Sequence, residues 1–566
     1  MNDSRDLPLR SGLTTITGRS AFLSLLADEG VDHLFGNPGT TELAIMEALG
    51  SHPELRYVLG LQEGIVVAMA DGYARASNRL AACNVHVAPG LGNAMGALFN
   101  AKWYGSPMLI TAGQQEQGHG LTEPLLYDPL LPIAQPMVKW AIEVTRLQDL
   151  PRIVRRAAKV ALTPPTGPVF ISLPGDILDA EGAIDLGKST RVDANTRPSD
   201  EALQRLARRL LEASNPVLLA GHELSTHDAL KEAAELAEVL GAPVYQQTVP
   251  YTAQYLSEHP AFLGALTRNQ SQVRAALQPY DLMVCLGADV LRMSVYSPVD
   301  PLPDGMPLIQ ISERDWELGK NYPAEIAIKA NVKETLRALL PVLRSMRSAE
   351  RANQAARRLA DLKSQNWTAK RERLSKDVMA AAQAKPIDPR YLMMQIADTI
   401  PADAVVLEEA LTSGYSLPSF LRMRDAQGYY GLASGGIGFA MAGAVGISIA
   451  LKDRPVVAIV GDGSAMYSVQ AIWTAAHLKL PITYVIPNNR SYRILKERLR
   501  ARDGANTFIG MDLRDPEIDF VGLAQSMGVP AQRVSDPAGI VPALKDAMAS
   551  GGPRLLDVSV IDGYGG

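Results

Sequence analysis

Cysteine is nearly absent from this sequence of 566 residues. The two cysteines, Cys83 and Cys285, lie far apart along the chain and within apolar stretches. Two such residues cannot form the disulfide framework of a secreted protein. We therefore expect two buried thiols, a reducing compartment and a cytoplasmic location.

A surplus of positive charge and a long apolar segment are also missing. The 55 Lys and Arg residues face 60 Asp and Glu residues, which gives a net charge of −5 and makes nucleic acid an unsuitable partner. The longest stretch with few charges, residues 436–451, is short for a membrane span and rich in Gly and Ala. It predicts a buried helix packed closely on a neighbour. Since no apolar segment stands at the N-terminus, we expect neither a signal peptide nor a membrane partner.

Short apolar runs alternate with longer amphipathic stretches along the whole chain. Runs rich in Val, Ile and Leu are typical of strands buried on both faces, and their alternation with helices predicts parallel sheets. The predicted fold is α/β, with three doubly wound parallel-sheet domains. The runs that predict strands are VDHLFGN, RYVLGL, AACNVHV, PMLITAG, PVFISLP, PVLLAG, DLMVCLG, PLIQIS, PVVAIVGDG, PITYVIPNN and RLLDVSV.

Two polar segments mark the predicted domain boundaries. Residues 185–204 are polar and lack periodicity, which is typical of a linker. The segment after Leu343 is charged and Ala-rich with helical spacing, which predicts exposed helices that cross between domains. The resulting domains are 12–185, 196–343 and 385–563.

The first and third domains share a local pattern. The sequence GLGNAM begins at Gly90, and GDGSAM begins at Gly461. In both places a helix, a proline and an apolar strand are predicted to follow. The pattern indicates two distant copies of one domain, which could build one site between them, within a chain or across a dimer.

Polar side chains follow two neighbouring strands of the third domain. Asp462 comes directly after one strand and Asn489 after the next. Because ligands of parallel sheets bind at the carboxyl ends of strands, we expect these two oxygen donors to converge on Mg²⁺. Gly461, Gly463 and Ser464 open a helix whose free N–H groups favour a diphosphate. The alternative is a tight turn between a strand and a helix.

The spacing of GDG and NN resembles the signature of thiamine diphosphate enzymes. Residues 35–43, 61–77 and 84–98 resemble the first domain of the 2-oxo-acid decarboxylase and acetolactate synthase group. Within that group, the chain is most similar to the benzoylformate decarboxylases over nearly its whole length. The resemblance implies a pyrimidine-binding, a middle and a diphosphate-binding domain. It also implies thiamine diphosphate and Mg²⁺ as cofactors, and a homotetramer built from dimers, with each site between first and third domains of partner chains.

The same resemblance implies roles for individual residues. Glu63 corresponds to the poorly solvated carboxyl that hydrogen-bonds the cofactor's pyrimidine. The backbone carbonyl of Gly435 would accept the aminopyrimidine N–H, and Ile437 would hold the cofactor bent, although plain core packing is the alternative for Ile437. The implied Mg²⁺ ligands are Asp462, Asn489 and the backbone oxygen of Ser491, and the implied diphosphate contacts are Thr412, Gly463, Ser464 and Tyr467.

Four further residues are implied in catalysis or replace residues of the decarboxylases. His86 falls where the decarboxylases have a catalytic histidine. Thr40 stands where they have a serine, and it keeps the hydroxyl. Ser294 stands where they carry a second histidine, and a serine cannot cycle a proton near neutral pH. His119 lies on a loop where pyruvate decarboxylases carry histidines, and an exposed structural histidine is the alternative.

A run of basic residues follows Asn489. It contains Arg490, Arg493, Lys496 and Arg498. Such a run is typical of a solvated helix face, and the alternative is a site for an anionic or phosphorylated substrate.

The resemblance predicts nonoxidative decarboxylation of a 2-oxo acid, of the benzoylformate type, to an aldehyde and CO₂. The alternative enzyme is a carboligase or C–C lyase similar to acetolactate synthase. A subunit that binds the cofactor without turnover is a further alternative. The first turn of the middle domain has a single glycine, so we predict no FAD.

Overall fold

The chain forms three parallel sheets, each with six strands, interleaved with helices. The computed structural model describes residues 13–504 and 506–563. The predicted α/β fold with three parallel sheets is confirmed.

The first sheet has the strand order β3-β2-β4-β5-β7-β6, and β1 pairs with β8 in a separate antiparallel ribbon. Its strands are buried because their apolar runs pack against helices on both faces. The strands are β1 (Leu13–Thr17), β2 (His33–Gly36), β3 (Arg56–Leu59), β4 (Ala81–Val85), β5 (Met108–Gln114), β6 (Ala141–Glu143), β7 (Val169–Pro174) and β8 (Glu181–Asp185). The helices are α1 (Gly18–Asp28), α2 (Leu43–Leu49), α3 (Glu63–Ser77), α4 (Val87–Tyr104), α5 (Leu130–Ala134), α6 (Leu150–Leu162) and α7 (Gly175–Asp179).

The middle sheet has the order β11-β10-β9-β12-β13-β14, which differs from the first. Its strands are β9 (Pro216–Ala220), β10 (Val244–Gln246), β11 (Phe262–Ala265), β12 (Leu282–Leu286), β13 (Leu308–Ser312) and β14 (Ile326–Lys329). The helices of this part of the chain are α8 (Asp200–Glu212), α9 (His222–Thr226), α10 (Leu230–Leu240), α11 (Gln270–Leu277), α12 (Val332–Met346), α13 (Ala349–Asp361) and α14 (Trp367–Met379).

The last sheet has the order β16-β15-β17-β18-β20-β19. Its strands are β15 (Val405–Glu409), β16 (Tyr429–Gly431), β17 (Val456–Val460), β18 (Ile482–Asn488), β19 (Ala531–Val534) and β20 (Arg554–Ser559). The helices are α15 (Pro389–Thr399), α16 (Leu417–Phe420), α17 (Ala440–Ala450), α18 (Asp462–Ala465), α19 (Ala471–His477), α20 (Arg493–Asp503), α21 (Phe520–Ser526) and α22 (Ile540–Ala549).

The described residues divide into two compact units. The first unit holds the first sheet together with Ser434–Lys452 and Ser468–Leu478, and the second holds the middle and last sheets. Helix α17 therefore belongs with the first sheet, where it packs on α3.

Glycines allow α17 and α3 to approach so closely. A Cβ on Gly446 would lie 1.8 Å from the carbonyl oxygen of Met69, and a Cβ on Gly72 would lie 2.3 Å from that of Gly443. Any side chain at either position would force the helices apart. The buried helix predicted within residues 436–451 is confirmed.

Both predicted polar segments correspond to irregular or exposed structure. The chain between β8 and α8 has no helix or strand, although the last residues of the predicted linker begin α8. Helices α13 and α14 follow the middle sheet, and most of their residues are exposed or partly exposed. Helix α14 contacts both β11 of the middle sheet and α16 of the last part of the chain.

The expectation drawn from the scarce cysteines is met by the structure. Cys83 and Cys285 are free and buried. Burial raises the pKa of both thiols, which keeps them protonated and unreactive at neutral pH. Within the described part of the chain, no helix is both long and apolar enough to cross a membrane.

Candidate active site

The strand orders of the first and last sheets place a crevice at equivalent positions. In both sheets the first strand of the sheet lies beside the third, so the chain leaves these two strands in opposite directions. Ligands of open parallel sheets bind at such switch points, outside the carboxyl ends of the strands. Thr40 follows β2 and His86 follows β4, whereas Thr412 follows β15 and Asp462 follows β17.

A buried carboxylate holds the imidazole of His86. Oε2 of Glu42 lies 2.7 Å from Nδ1 of His86, and the Glu42 side chain is fully buried. Glu42 also accepts hydrogen bonds from the backbone N–H groups of Gly39 (2.8 Å) and Gly113 (2.9 Å) and from the hydroxyl of Thr41 (2.8 Å). These donors fix the position of the Glu42 carboxylate. Nδ1 of His86 must then carry the hydrogen, which leaves Nε2 to accept or deliver a proton.

The backbone beside His86 is strained. Val87 has φ of 35°, a conformation that a β-branched residue adopts only under constraint. Gly39 is required opposite, because a Cβ there would lie 2.2 Å from Nδ1 of His86. The position of the His86 ring therefore requires a strained backbone at Val87 and a residue without a side chain at Gly39.

Glu63 and His86 both lie beside Gly90. A Cβ on Gly90 would be 3.1 Å from Oε1 of Glu63 and 3.3 Å from Cβ of His86, so only glycine leaves both undisturbed. Glu63 begins α3 and is only 9% exposed. Its Oε2 accepts a hydrogen bond from Asn93 (3.1 Å), and within the described residues no cation forms an ion pair with it. Oε1 is therefore open to a ligand that donates a proton.

The loop that carries Gly435 and Ile437 is fixed by hydrogen bonds to Asn100. Oδ1 of Asn100 accepts hydrogen bonds from the backbone N–H and the hydroxyl of Ser434, both at 3.2 Å. Gly435 has φ of 84° and open space in front of it, and Ile437 is half-buried. The loop can thus present a backbone carbonyl and an apolar side chain to a ligand.

Asn100 is fixed in turn by a buried ion pair. Its amide donates to Asp71 (3.2 Å), which pairs with Arg75 at 2.6 Å. The Arg75 guanidinium lies 4.2 Å from the ring centres of both Tyr104 and Phe439. An ion pair this enclosed restricts the loop of Gly435 through a chain of direct contacts.

Thr40 and His119 are both exposed. Thr40 starts the short 3₁₀ turn that also carries Glu42, so it is two residues in sequence from the carboxylate that holds His86. His119 lies in a loop after β5, where its Nδ1 is 3.2 Å from the hydroxyl of Thr122. No hydrogen bond or ion pair in the described part of the chain joins His119 to Glu63 or His86.

In the second unit, three predicted metal ligands follow two adjacent strands. Asp462 accepts hydrogen bonds from the backbone N–H groups of Gly463 (2.9 Å) and Arg490 (2.6 Å). Burial raises the pKa of Asp462 to about 6, and these hydrogen bonds oppose the rise. Asn489 is buried, and its Oδ1 accepts from the backbone N–H of Ser491 at 2.9 Å. Arg490 between them has φ of 58°, which turns the chain sharply.

This donor set fits Mg²⁺. A buried carboxylate with no cation beside it is costly, and a bound metal ion removes that cost. Carboxylate, amide and carbonyl oxygens are the ligands that Mg²⁺ prefers, with phosphate oxygens completing its shell. In residues 13–504 and 506–563 no three His, Cys, Asp or Glu side chains form a metal cluster, which agrees with a site that has one carboxylate.

The predicted diphosphate contacts lie on both switch-point loops. Gly463 and Ser464 are buried at the start of α18, and a Cβ on Gly463 would lie 2.5 Å from the ring of Tyr492. Thr412 is half-buried and follows Leu411, whose φ is 44°. Tyr467 is 60% exposed. The backbone and hydroxyl groups of this edge suit an anionic ligand.

The basic run after Asn489 is mostly neutralised. Arg490 pairs with Glu517 (3.7 Å) and Arg493 with Glu497 (2.8 Å). Lys496 is 1% exposed and pairs with Asp512 and Asp562. The prediction of a solvated helix face is therefore wrong for Lys496, which is a buried cation between two carboxylates.

Arg498 is the exception in this run. It forms no ion pair within the described residues, and its Nη2 lies 3.5 Å from the hydroxyl of Ser294. Ser294 itself is exposed.

The sequence predictions missed three residues that this geometry brings to the site. They are Glu42, Asn93 and Asn100, which hold His86, Glu63 and the loop of Gly435. A signal existed for Glu42, because Gly39 and Glu42 have the spacing of a capping box. The two asparagines lie on α4: Asn93 stands within the GLGNAM pattern, which did not reveal its contact with Glu63, and no local pattern marks Asn100.

Comparisons with known proteins cover almost the whole chain. Three models of thiamine pyrophosphate enzymes match: the N-terminal TPP binding domain at residues 16–125, the central domain at 203–339 and the C-terminal TPP binding domain at 414–558. The chain is 33% identical to benzoylformate decarboxylase of Pseudomonas aeruginosa over 549 residues, which cover 96% of this chain and 98% of that protein.

A solved structure and a second relative agree with this. The thiamine diphosphate-dependent 4-hydroxybenzoylformate decarboxylase of Rhodococcus jostii superposes with a TM-score of 0.86 and 31% identity, covering 97% of this chain and 100% of that one. Acetolactate synthase of Mycobacterium bovis is 26% identical over 95% of this chain and 87% of its own length. The chain belongs to the thiamine pyrophosphate enzyme family.

Proposed function

We propose that this protein is a thiamine diphosphate-dependent decarboxylase that converts a 2-oxo acid of the benzoylformate type to an aldehyde and CO₂. The observation that carries the proposal is the arrangement around Gly90. An open carboxylate oxygen of Glu63 lies beside it, and so does His86, whose imidazole is held by a buried carboxylate. Thiamine diphosphate, when bound, supplies the electron sink that lets the carboxylate of a 2-oxo acid leave as CO₂.

Glu63 would control a proton at the cofactor's pyrimidine. Asn93 occupies Oε2, which leaves Oε1 as the acceptor or donor. Among the described residues no cation pairs with this carboxyl, so a ligand that approaches Oε1 meets no competing side-chain charge. The carbonyl of Gly435 would accept the neighbouring amino N–H, and Ile437 would support the bent cofactor.

His86 would move the proton that the reaction needs after CO₂ leaves. Nδ1 is committed to Glu42, so Nε2 is the working nitrogen. Glu42 is a positioning residue, because it acts through His86. Thr40 offers a hydroxyl to the substrate carboxylate.

The second unit would hold the charged end of the cofactor. Asp462, Asn489 and the backbone oxygen of Ser491 would hold Mg²⁺ together with the diphosphate. The diphosphate would accept hydrogen bonds at Gly463, Ser464, Thr412 and Tyr467.

Ser294 and His119 have weaker support as catalytic residues. A serine can hydrogen-bond a substrate but cannot cycle a proton near neutral pH, so Ser294 would position rather than protonate. His119 is exposed, and in the described part of the chain its imidazole is hydrogen-bonded only to Thr122. We propose for it a contact with substrate at the site entrance.

The assembly and setting follow the family resemblance. We propose a cytoplasmic homotetramer, a dimer of dimers, with domains at 12–185, 196–343 and 385–563. Similarity to an acetolactate synthase supports a carboligase as the second candidate function, since both reactions share the decarboxylation step. Product analysis separates them: a decarboxylase releases an aldehyde, and a carboligase joins the residual fragment to a second carbonyl compound.

The test is Glu63→Gln, which keeps shape and removes the proton. We expect kcat for CO₂ release to fall by ~10² to 10⁴-fold, while thiamine diphosphate still binds by calorimetry, because the Mg²⁺ and diphosphate ligands are untouched. Glu54→Gln, at an exposed carboxylate in the same unit, is the matched control and should change neither quantity. A fully active Glu63→Gln enzyme would refute the assignment.

A further inference from the structure

A cavity of about 510 Å³ opens in the second unit beside Thr412. Two elements form most of its wall: the loop after β15 and the first turns of α20. The lining residues used below are Arg268, Leu411, Thr412, Ile494, Arg498 and Ile561. Its volume is that of a site for a small organic ligand.

The charges on the cavity wall do not cancel. Four arginines line it, with one Asp and one Glu. Two of the arginines are paired: Arg390 lies 2.7 Å from Asp388, and Arg493 lies 2.8 Å from Glu497. The wall therefore keeps the positive charges of Arg268 and Arg498.

Arg268 is the stronger of the two as a ligand contact. It follows β11 and is half-buried. Within the described residues, its guanidinium forms no hydrogen bond and no ion pair. Its charge acts on Glu408 from a distance, but that carboxylate is engaged by the backbone N–H of Ala410 at 2.7 Å. A half-buried fork of N–H donors without an acceptor suits a carboxylate or phosphate.

Arg498 connects the cavity to the proposed reaction. Its Nη2 lies 3.5 Å from the hydroxyl of Ser294, which the proposed function places beside the substrate. Thr412, a proposed diphosphate contact, lines the same cavity. Anionic groups bound here would thus be close to the charged end of the cofactor site.

Part of the wall is apolar. Leu411, Ile494 and Ile561 line the same cavity as the arginines. Such a wall suits a carbon skeleton, and the two guanidinium groups suit its charged end.

We infer that the substrate is a 2-oxo acid with a second anionic group, remote from the 2-oxo carboxylate, which Arg268 and Arg498 bind. The inference rests on the proposed function and narrows its substrate class. The second group is a carboxylate or a phosphate, since a guanidinium binds both in the same forked geometry.

The experiment compares acids that differ only in the remote charge. Purified holoenzyme is given 4-carboxybenzoylformate, 4-phosphonooxybenzoylformate and benzoylformate, which lacks a second anionic group, and kcat/KM for CO₂ release is measured for each. We expect at least one doubly anionic acid to be preferred by ~10-fold or more. Arg268→Met should lower that preference to near unity, and Arg498→Met should lower it several-fold. Arg268→Met should change kcat/KM for benzoylformate by no more than ~3-fold. The control is Arg208→Met, at an exposed arginine of α8.

The outcomes separate this inference from the proposed function. Equal turnover of all acids, or an unchanged preference in Arg268→Met, overturns the inference and leaves decarboxylation intact. Absence of CO₂ from every acid, with cofactor bound, overturns the proposed function. In that case calorimetric binding of 4-carboxybenzoylformate decides the anion site: weaker binding to Arg268→Met than to the parent protein supports it, and equal binding or none overturns it.

Discussion

The first and last sheets have the same strand order but different chemistry at their switch points. In the first sheet, the crevice holds carboxylates and an imidazole, with Glu42 bound to His86 and Glu63 open. In the last sheet, the crevice holds Asp462 and Asn489, and no imidazole or cation pairs with Asp462 in the described part of the chain. In the proposed function, the edge of the first sheet moves protons and the edge of the last sheet holds a metal ion and phosphates.

The shared strand order determines where a ligand binds in each sheet, whereas the residue types at that edge determine which chemistry the ligand undergoes. In both sheets, a residue next to a candidate site residue has a backbone conformation that residues other than glycine rarely adopt. Val87 follows His86, Leu411 precedes Thr412 and Arg490 follows Asn489, and all three have positive φ. Strain of this kind is retained at both edges because it places a neighbouring group. The middle sheet has another strand order and supplies the cavity wall at Arg268 instead.

The largest effect is expected at the metal edge. Asp462→Ala removes the one carboxylate among the predicted ligands, so we expect affinity for thiamine diphosphate in the presence of Mg²⁺ to fall by at least ~100-fold. Activity should vanish at ordinary cofactor concentrations. Calorimetric titration of the apoprotein measures the loss.

Asp453→Ala is the matched control, because Asp453 is exposed and precedes the same strand, at its amino end. Chelation of the metal from the parent protein should reproduce the Asp462→Ala result. Undiminished cofactor affinity in Asp462→Ala would show that the edge of the last sheet does not hold the cofactor through this carboxylate.

A smaller effect, and of a different kind, is expected at the proton edge. Glu42→Gln replaces the acceptor at Nδ1 of His86 and disturbs its tautomer, so kcat should fall by ~10² to 10⁴-fold. Cofactor affinity should stay within ~3-fold of the parent value. The pH profile of kcat should also change shape, which a loss of folding alone would not produce.

Glu47→Gln, on the exposed face of α2, is the control for that variant. A Glu42→Gln enzyme with normal kcat and a normal pH profile would show that His86 does not depend on this carboxylate.

The smallest effect is expected at the opposite edge of the first sheet. Asp32 precedes β2, where burial opposes its ionisation but hydrogen bonds from Tyr73, His33 and Arg79 outweigh that cost and lower its pKa to about 2. Since the pKa is lower in the folded state, this stabilisation is present above about pH 4 and is lost as the pH falls toward 2. Because Asp32 is 41% exposed, Asp32→Asn should cost only about 1 kcal/mol at pH 7.

Urea denaturation of both proteins at pH 7 and at pH 3 checks this, and the difference between them should shrink at the lower pH. kcat should be unchanged. A large loss of kcat in Asp32→Asn would show that the amino edge of the sheet also contributes to catalysis.

The sequence predicted the long buried strands well because their signal is local. Runs such as VVAIV before Asp462 and ITYVIPN before Asn489 are continuous and apolar, and both are strands of the last sheet. Several strands were missed, among them the inner strand β15 and the short edge strands β16 and β19. Strand β16 has three residues, and it pairs with β15 as its parallel neighbour. Such an element depends on its partner more than on its own residues.

Site residues divide in the same way. Glu63, His86, Asp462 and Asn489 stand at strand ends or helix starts, where a local motif marks them. Asn100 could not be predicted, because its role depends on Ser434, which is distant in sequence. Arg268 could not be predicted either, since no motif surrounds it and its cavity is completed by α20.

The most direct test of the proposed decarboxylation measures CO₂ and aldehyde from one reaction. Purified protein is incubated with benzoylformate, pyruvate or a branched 2-oxo acid, each with and without thiamine diphosphate and Mg²⁺. We predict equimolar CO₂ and aldehyde, with benzoylformate above the other two acids, and only when both cofactors are present. No CO₂ from any 2-oxo acid by a protein shown to hold both cofactors would contradict the account.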